Sequence, residues 1–268
     1  MWLWQRGRHG RGLRARMRVV GARPGDTRLI VMNNKYGAPG TTPHYDVQAM
    51  IEAAVLSHSL ECEVETVRGD DLRGSNGNKP EFCIGGPLGS NVRSAGHLAH
   101  SLPGVTFPPY THPDHPPAIE AGGEFCHRDR ENQGYALLAK FTAPGGSRPV
   151  ILICGQSAVT HHAAAYFLRH SYRRIADAVS STERFCLILK IPSVRTYGFQ
   201  GATLERDLTD AVFAPGPWRS PRTRRVESGR TIHASTLACF SVRCHAPRNR
   251  AAHRRAPRGA PSCPIRRP

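Results

Sequence analysis

Two rhythms of apolar residues run through the chain between positions 26 and 214. The first is a set of short, nearly unbroken apolar runs at 28–33, 81–84, 134–142, 149–154 and 185–191. Runs of this kind suit strands whose sheet is covered on both faces. Residues 61–67 alternate instead, with acids on one side, and read as a further strand. The second rhythm has helical spacing. Val47, Met50, Ile51, Ala54, Val55 and His58 predict the inner face of a helix opened by Thr42 as N-cap and Pro43 at the first position. Val92, Ala95, Leu98, Ala99 and Leu102 predict a second. Ala164, Phe167, Leu168, Ser171, Ile175, Ala178 and Val179 predict a third, with Arg169, Arg173 and Arg174 outside. Residues 203–213 read as a short capped closing helix. Residues 143–148 form a turn that makes a hairpin of the two strands beside it. This grammar predicts an α/β domain over 26–214: a three-layer, Rossmann-like, mostly parallel sheet with helices on both faces.

One stretch breaks the rhythm. Residues 103–133 carry Pro103, Pro108, Pro109, Pro113, Pro116 and Pro117, which forbid a long helix. A segment of this length without periodicity is expected to be a lid, a binding loop or unstructured.

Charge sharpens the boundaries. The formal charge is +17, but residues 1–25 hold seven Arg and no acid, and residues 215–268 hold thirteen Arg and one acid, Glu227. The middle is close to neutral. Both ends lack an apolar period and are expected to be disordered basic tails. They suit weak, non-specific contact with nucleic acid; equally, they are solvated extensions without a role. Cys83, Cys154 and Cys186 lie inside apolar runs and no CxxC pair occurs in the middle, which favours a reducing, cytoplasmic compartment over a disulfide framework. No run approaches a membrane span, and no signal-peptide core is visible. Oligomeric state is not legible.

The chemistry concentrates at two turns. Gly85-Gly86-Pro87-Leu88-Gly89-Ser90-Asn91 follows one buried strand, and Gly155-Gln156-Ser157 follows another; each opens a helix. The first is neither a Walker loop nor GxGxxG. Ligands bind open α/β sheets at such strand ends, where helix N-termini present free N–H groups to anions. The expected ligand-binding residues are Gly85, Gly86, Ser90, Asn91, Arg93, Gly155, Ser157 and Thr160, with an anionic small molecule as ligand and residues 103–133 as a cover. The same turn is equally a structural one. Cys154 with His161 or His162 could form a nucleophile–base pair, although a Cys ending an apolar strand is usually buried and inert. His112, Asp114 and His115, with Cys126 and His127, are metal-competent types on a proline-rich loop. Neither a metal, a cofactor nor a catalytic residue is expected.

Ile84-Gly-Gly-Pro-Leu-Gly-Ser-Asn91, followed by Val150-Ile-Leu-Ile-Cys-Gly155 and Ala163-Ala-Ala-Tyr-Phe-Leu168, resembles uncharacterised bacterial α/β domains with a strand-GGPxxN-helix element. Those domains often follow a helix-turn-helix regulator and look like sensors. The resemblance spans roughly 27–195. It implies a non-enzymatic domain that senses a small molecule or nucleotide. Two departures stand against it: no helix-turn-helix pattern is visible, and Val159-Thr160-His161 occupies a loop where the family often has Gly-Thr. The competing readings are a cysteine-dependent hydrolase and nucleic-acid binding through the tails.

Overall fold

The computed structural model describes residues 12–32, 41–69, 77–87, 91–108, 118–129 and 132–213, all within the first of two units, Met1–Arg219. The expectations for Ser90, for His112, Asp114 and His115, for residues 1–11 and for the tail 215–268 fall outside these residues.

The long apolar runs become the strands of one seven-stranded sheet. In chain order they are β1 (Thr27–Met32), β2 (Glu63–Arg68), β3 (Glu81–Ile84), β7 (Gln133–Thr142), β8 (Pro149–Gly155), β9 (Phe185–Pro192) and β10 (Thr203–Asp207). Three short strands, β4 (Val105–Thr106), β5 (Ala118–Ala121) and β6 (Glu124–His127), form a separate antiparallel sheet. The large sheet has the order β10-β9-β7-β8-β3-β1-β2. Strands β2, β1, β3 and β8 are mutually parallel. Strand β7 runs against both β8 and β9, and β10 against β9. The sheet is therefore mixed, with most strands pointing one way.

Side chains alternate between two cores, as the pleat requires. Ile30, Phe82, Ile84, Ile151, Ile153, Leu138 and Leu187 face one, together with helices α1 (residues 12–20), α2 (His44–His58), α4 (Ala158–His170) and α5 (Tyr172–Ala178). Val31, Cys83, Leu152, Cys154, Leu137 and Ile188 face the other, with α3 (Val92–Ser101), the closing helix α6 (Thr209–Phe213) and the small sheet. Strands β3, β7, β8 and β9 are buried almost throughout, which is why their sequences carry so little alternation. The edge strand β2 exposes all but one residue.

Five expectations need correction. Residues 12–20 are helical, not disordered, and Val19 and Val20 are fully buried. Arginines dominate that segment, but two adjacent valines at its end reach the core. Helix α2 turns a different face inward: Ala49, Ala53 and Leu56 are buried while Ile51 and Val55 are exposed. Small residues let α2 lie close against Ala163, Ala164 and Ala165 of α4, and this contact overrides the apolar periodicity. Residues 103–133 contribute three strands, with Val105, Ile119 and Ala121 packed in the second core; prolines excluded a helix, not short strands. Residues 203–207 form the antiparallel edge strand β10, so only Thr209–Phe213 is helical. The third helix also divides at Ser171, into α4 and the short α5 (Tyr172–Ala178).

Because Val20 is fully buried, Val20→Ala in the full chain should lower stability by about 2 kcal/mol, from lost transfer energy plus a small cavity. Chemical denaturation monitored by circular dichroism reads this directly. An unchanged midpoint would return α1 to the status of a dispensable extension.

Candidate functional site

Strands β1, β3 and β8 all end at one edge of the sheet, and the two glycine turns meet there. Gly85 has φ 115°, a conformation open mainly to glycine. Its N–H donates to Ile153 O at 2.9 Å, which ties the β3 turn to β8. Its carbonyl accepts from Ser94 Oγ at 2.6 Å and from Cys154 Sγ at 3.3 Å. The Gly86 backbone lies so near the second turn that a Cβ there would sit 3.1 Å from Gly155 O and 3.9 Å from His161 Nε2. Gly155 in turn packs against Thr160, whose Oγ1 would be only 2.3 Å from a Cβ. Gly155 is therefore demanded by close approach, and Gly86 leaves little room for a side chain.

Most of the expected polar contacts are already engaged inside the fold. Asn91 is the N-cap of α3: its Oδ1 accepts from Ser94 N at 3.0 Å and its Nδ2 donates to Ile84 O at 2.9 Å. Thr160 Oγ1 donates to Ser157 O at 2.7 Å and accepts from Ser157 N at 3.1 Å, closing the first turn of α4. Arg93 turns away from the glycine turn and grips Glu81 at the opposite end of β3, with Nη2–Oε2 at 2.7 Å. Gly85, Gly86, Gly155 and Ser157 remain at the junction. Gln156 links it to the small sheet, because its Nε2 donates to Cys126 O at 2.6 Å and its Oε1 accepts from Tyr135 N at 2.9 Å. Among its described residues, the segment expected to cover the site packs against the second core and meets the turn through Cys126 and Arg128, which contact Gln156.

Beneath the junction lies a pair that the sequence did not reveal. His161, in the first turn of α4, donates through Nδ1 to Asp46 Oδ1 at 2.7 Å, and both side chains are almost wholly buried. Its Nε2 faces Gly155 O at 3.4 Å. Asp46 belongs to the first turn of α2, where a carboxylate is favoured by the helix dipole. A histidine at a helix N-terminus is not so favoured, and the Asp46 carboxylate offsets that. The pairing spans 115 residues, so no local signal could have found it; the only clue was an acid in a first helical turn.

A shelf of rings continues from this pair. His162 stacks on Phe199 at 3.8 Å, Tyr166 meets Phe199 edge-on at 5.2 Å, and Tyr45 lies 6.2 Å from His162. His162 Nδ1 is buried without a hydrogen-bond partner. Burial, aided by the nearby His44, pulls the His162 ring down to about 4.

The Cys154–His161 nucleophile–base arrangement is not formed. Cys154 faces the second core and donates to Gly85 O, while α4 covers the first core. Burial pushes the Cys154 thiol well up, so thiolate is suppressed. At the opposite end of β3, Glu81, Cys83 and His97 place their donor atoms within 4.8 Å of one another, a metal-competent set. Arg93 already holds both oxygens of Glu81, and His97 Nε2 lies 2.6 Å from Oε1. A divalent cation would have to displace the guanidinium that ties Arg93 of α3 to Glu81 of β3. No family model matches the chain, and no curated protein matches it.

Two measurements follow. A histidine pulled down to about 4 stays neutral in the fold while its unfolded counterpart protonates near 6.5. The unfolded state then binds more protons between those values, so stability contributed here is present above pH 6.5 and lost as pH falls toward 4. His162→Phe should flatten that acid limb in denaturation midpoints taken across pH 4–7. For Glu81, burial raises the carboxyl, but the hydrogen bonds from His97 and Arg93 outweigh it and the net shift is downward. Its contribution is present above the ordinary carboxylate range and lost as pH falls through the folded value. Glu81→Gln should cost about 3 kcal/mol at neutral pH, and the gap to wild type should close in acid. A pH-independent gap would mean that the loss is packing alone.

Proposed function

We propose that the chain is a non-enzymatic, sensor-like protein that binds an anionic small molecule or nucleotide at the strand-end junction. On this reading the architecture is a three-layer, Rossmann-like sheet, and the ligand lies where the ends of β3 and β8 open α3 and α4. The observation that carries it is the junction itself: the Gly86 backbone abuts Gly155 above a buried, carboxylate-anchored His161. Two helix N-termini start from these turns, and each favours negative charge by roughly 0.3–1 kcal/mol when exposed. Backbone of Gly86 and Gly155, with Ser157, would make the contacts; Asn91 and Thr160 would support the turns, and Arg93, held by Glu81 at the far end of β3, would not reach the ligand. The neighbouring rings of Tyr45 and His162 suit a ligand with a flat part, such as a nucleobase. Among the described residues His161 is matched to Asp46 and Gly155 O, with no hydroxyl or thiol in place to be activated. That favours binding over catalysis.

A thermal-shift comparison of the full chain with mononucleotides and small phosphorylated or carboxylated acids tests this. A ligand at one hundred times its Kd stabilises by about 2.7 kcal/mol, which for a domain of this size moves Tm by several degrees. Gly86→Ala is the informative change, because its Cβ would press on Gly155 O at 3.1 Å while the backbone angle itself is tolerated. The expected result is a shift for one ligand class that Gly86→Ala abolishes in a folded protein. No shift with any class, or a shift that survives Gly86→Ala, overturns the reading.

A further inference from the structure

The opposite edge of the sheet holds a second concentration of unbalanced charge. There the C-terminal end of α1, the turn between β7 and β8 and the approach to β9 enclose a cleft of about 280 Å³. Arg18, Arg23, Lys140 and Arg148 line it, with Glu183 as its one carboxylate. Arg148 is committed to Asp26 through a side-chain ion pair. Lys140 is 3 % exposed, and its Nζ donates to Arg18 O at 2.7 Å and to Thr182 O at 2.6 Å. Burial draws the Lys140 amine down to about 8, against the pull of Glu183.

Behind the cleft stands Arg28, fully buried, with Nε and Nη1 lacking any hydrogen-bond partner. Its Nη2 reaches Val20 O only at 3.5 Å, and its guanidinium lies 4.8 Å from the Phe82 ring centre. Cys62, then Asp26 and Arg148, are its electrostatic neighbours, and the last two connect it to the cleft. Capping the last carbonyls of α1 accounts for one ammonium and one guanidinium. It does not account for Arg18 and Arg23, which are exposed and, among the described residues, form no ion pair. Four cations line the cleft and a fifth, Arg28, stands behind it, against two carboxylates, Asp26 and Glu183.

We propose that this cleft binds a small phosphate-bearing anion. The planar forks of Arg18 and Arg23 match phosphate oxygens two at a time, and the buried Lys140 in the cleft wall strengthens the attraction, with Arg28 adding its charge from behind. The volume sits just below the roughly 300–1,000 Å³ of pockets for drug-sized ligands, so it fits a phosphate or diphosphate with a small organic part and not a dinucleotide. Gly21 shapes the wall: with φ +68°, a Cβ there would meet Lys140 Cε at 3.0 Å and Pro149 Cγ at 2.7 Å. The site is independent of the strand-end junction, which lies about 20 Å away along the seven-residue β8.

Inorganic pyrophosphate is the probe, titrated calorimetrically into the full chain at fixed ionic strength. Wild type should show one saturable site. Arg18→Gln with Arg23→Gln should weaken it tenfold or more. Arg173→Gln with Arg174→Gln, an equal charge change on the exposed face of α5, should leave it unchanged, as should Gly86→Ala. Lys140→Met, checked for folding by circular dichroism, should also weaken binding. The proposal is overturned if no saturable binding occurs, if the two arginine pairs act alike, or if Gly86→Ala removes the site; the last outcome would place the anion at the strand ends.

Discussion

The structure depends on one constraint: the central strands of its sheet are covered on both faces. A strand in that position can display almost no polar side chain without leaving it unsatisfied. Polar and ionisable groups are therefore driven to the strand ends. Arg28, Glu81 and Lys140 gather at or near one edge, and Asn91, Gln156, Thr160 and the Asp46–His161 pair gather at the other. Each is buried and nearly all are matched. Arg28 and His162 are among the exceptions, with polar atoms that find no partner, and both stand beside the proposed ligand sites.

The two edges solve different problems. At the strand-end junction the backbone does the work: glycines allow two turns to touch, and a histidine held by an aspartate fills the space beneath them. Donors there are main-chain groups at helix N-termini, with little net charge. At the other edge the carbonyls at the end of α1 call for cations, and more cations are present than those carbonyls and the two acids can use. The two proposed anion sites therefore rest on separate physical reasons, neutral preorganisation at one end and surplus positive charge at the other.

The helix layer on the first face shows how packing decides orientation. Alanines of α2 and α4 lie against each other, and that close approach carries Asp46 to within hydrogen-bond distance of His161. Had α2 buried Ile51 and Val55, as its apolar spacing suggests, Asp46 would have rotated away. The same packing leaves those two residues on the surface, where singly exposed apolar side chains are ordinary.

Sequence alone determined the α/β class, the places of β1, β3, β7, β8 and β9, the hairpin of β7 with β8, and the two glycine turns at strand ends. These are local properties, written in runs of apolar residues, turn chemistry and glycine, and they survive whatever the rest of the chain does. Tertiary structure alone decided the inward face of α2, the recruitment of Val19 and Val20 from an arginine-rich segment, the small sheet within a proline-rich stretch, and the antiparallel β10. It also redirected Arg93 to Glu81, turned Cys154 into the second core away from His161, and joined Asp46 to His161. All of these rest on contacts between residues far apart in the chain. Their energy comes from burial and pairing that exist only once the sheet has brought its two edges into being.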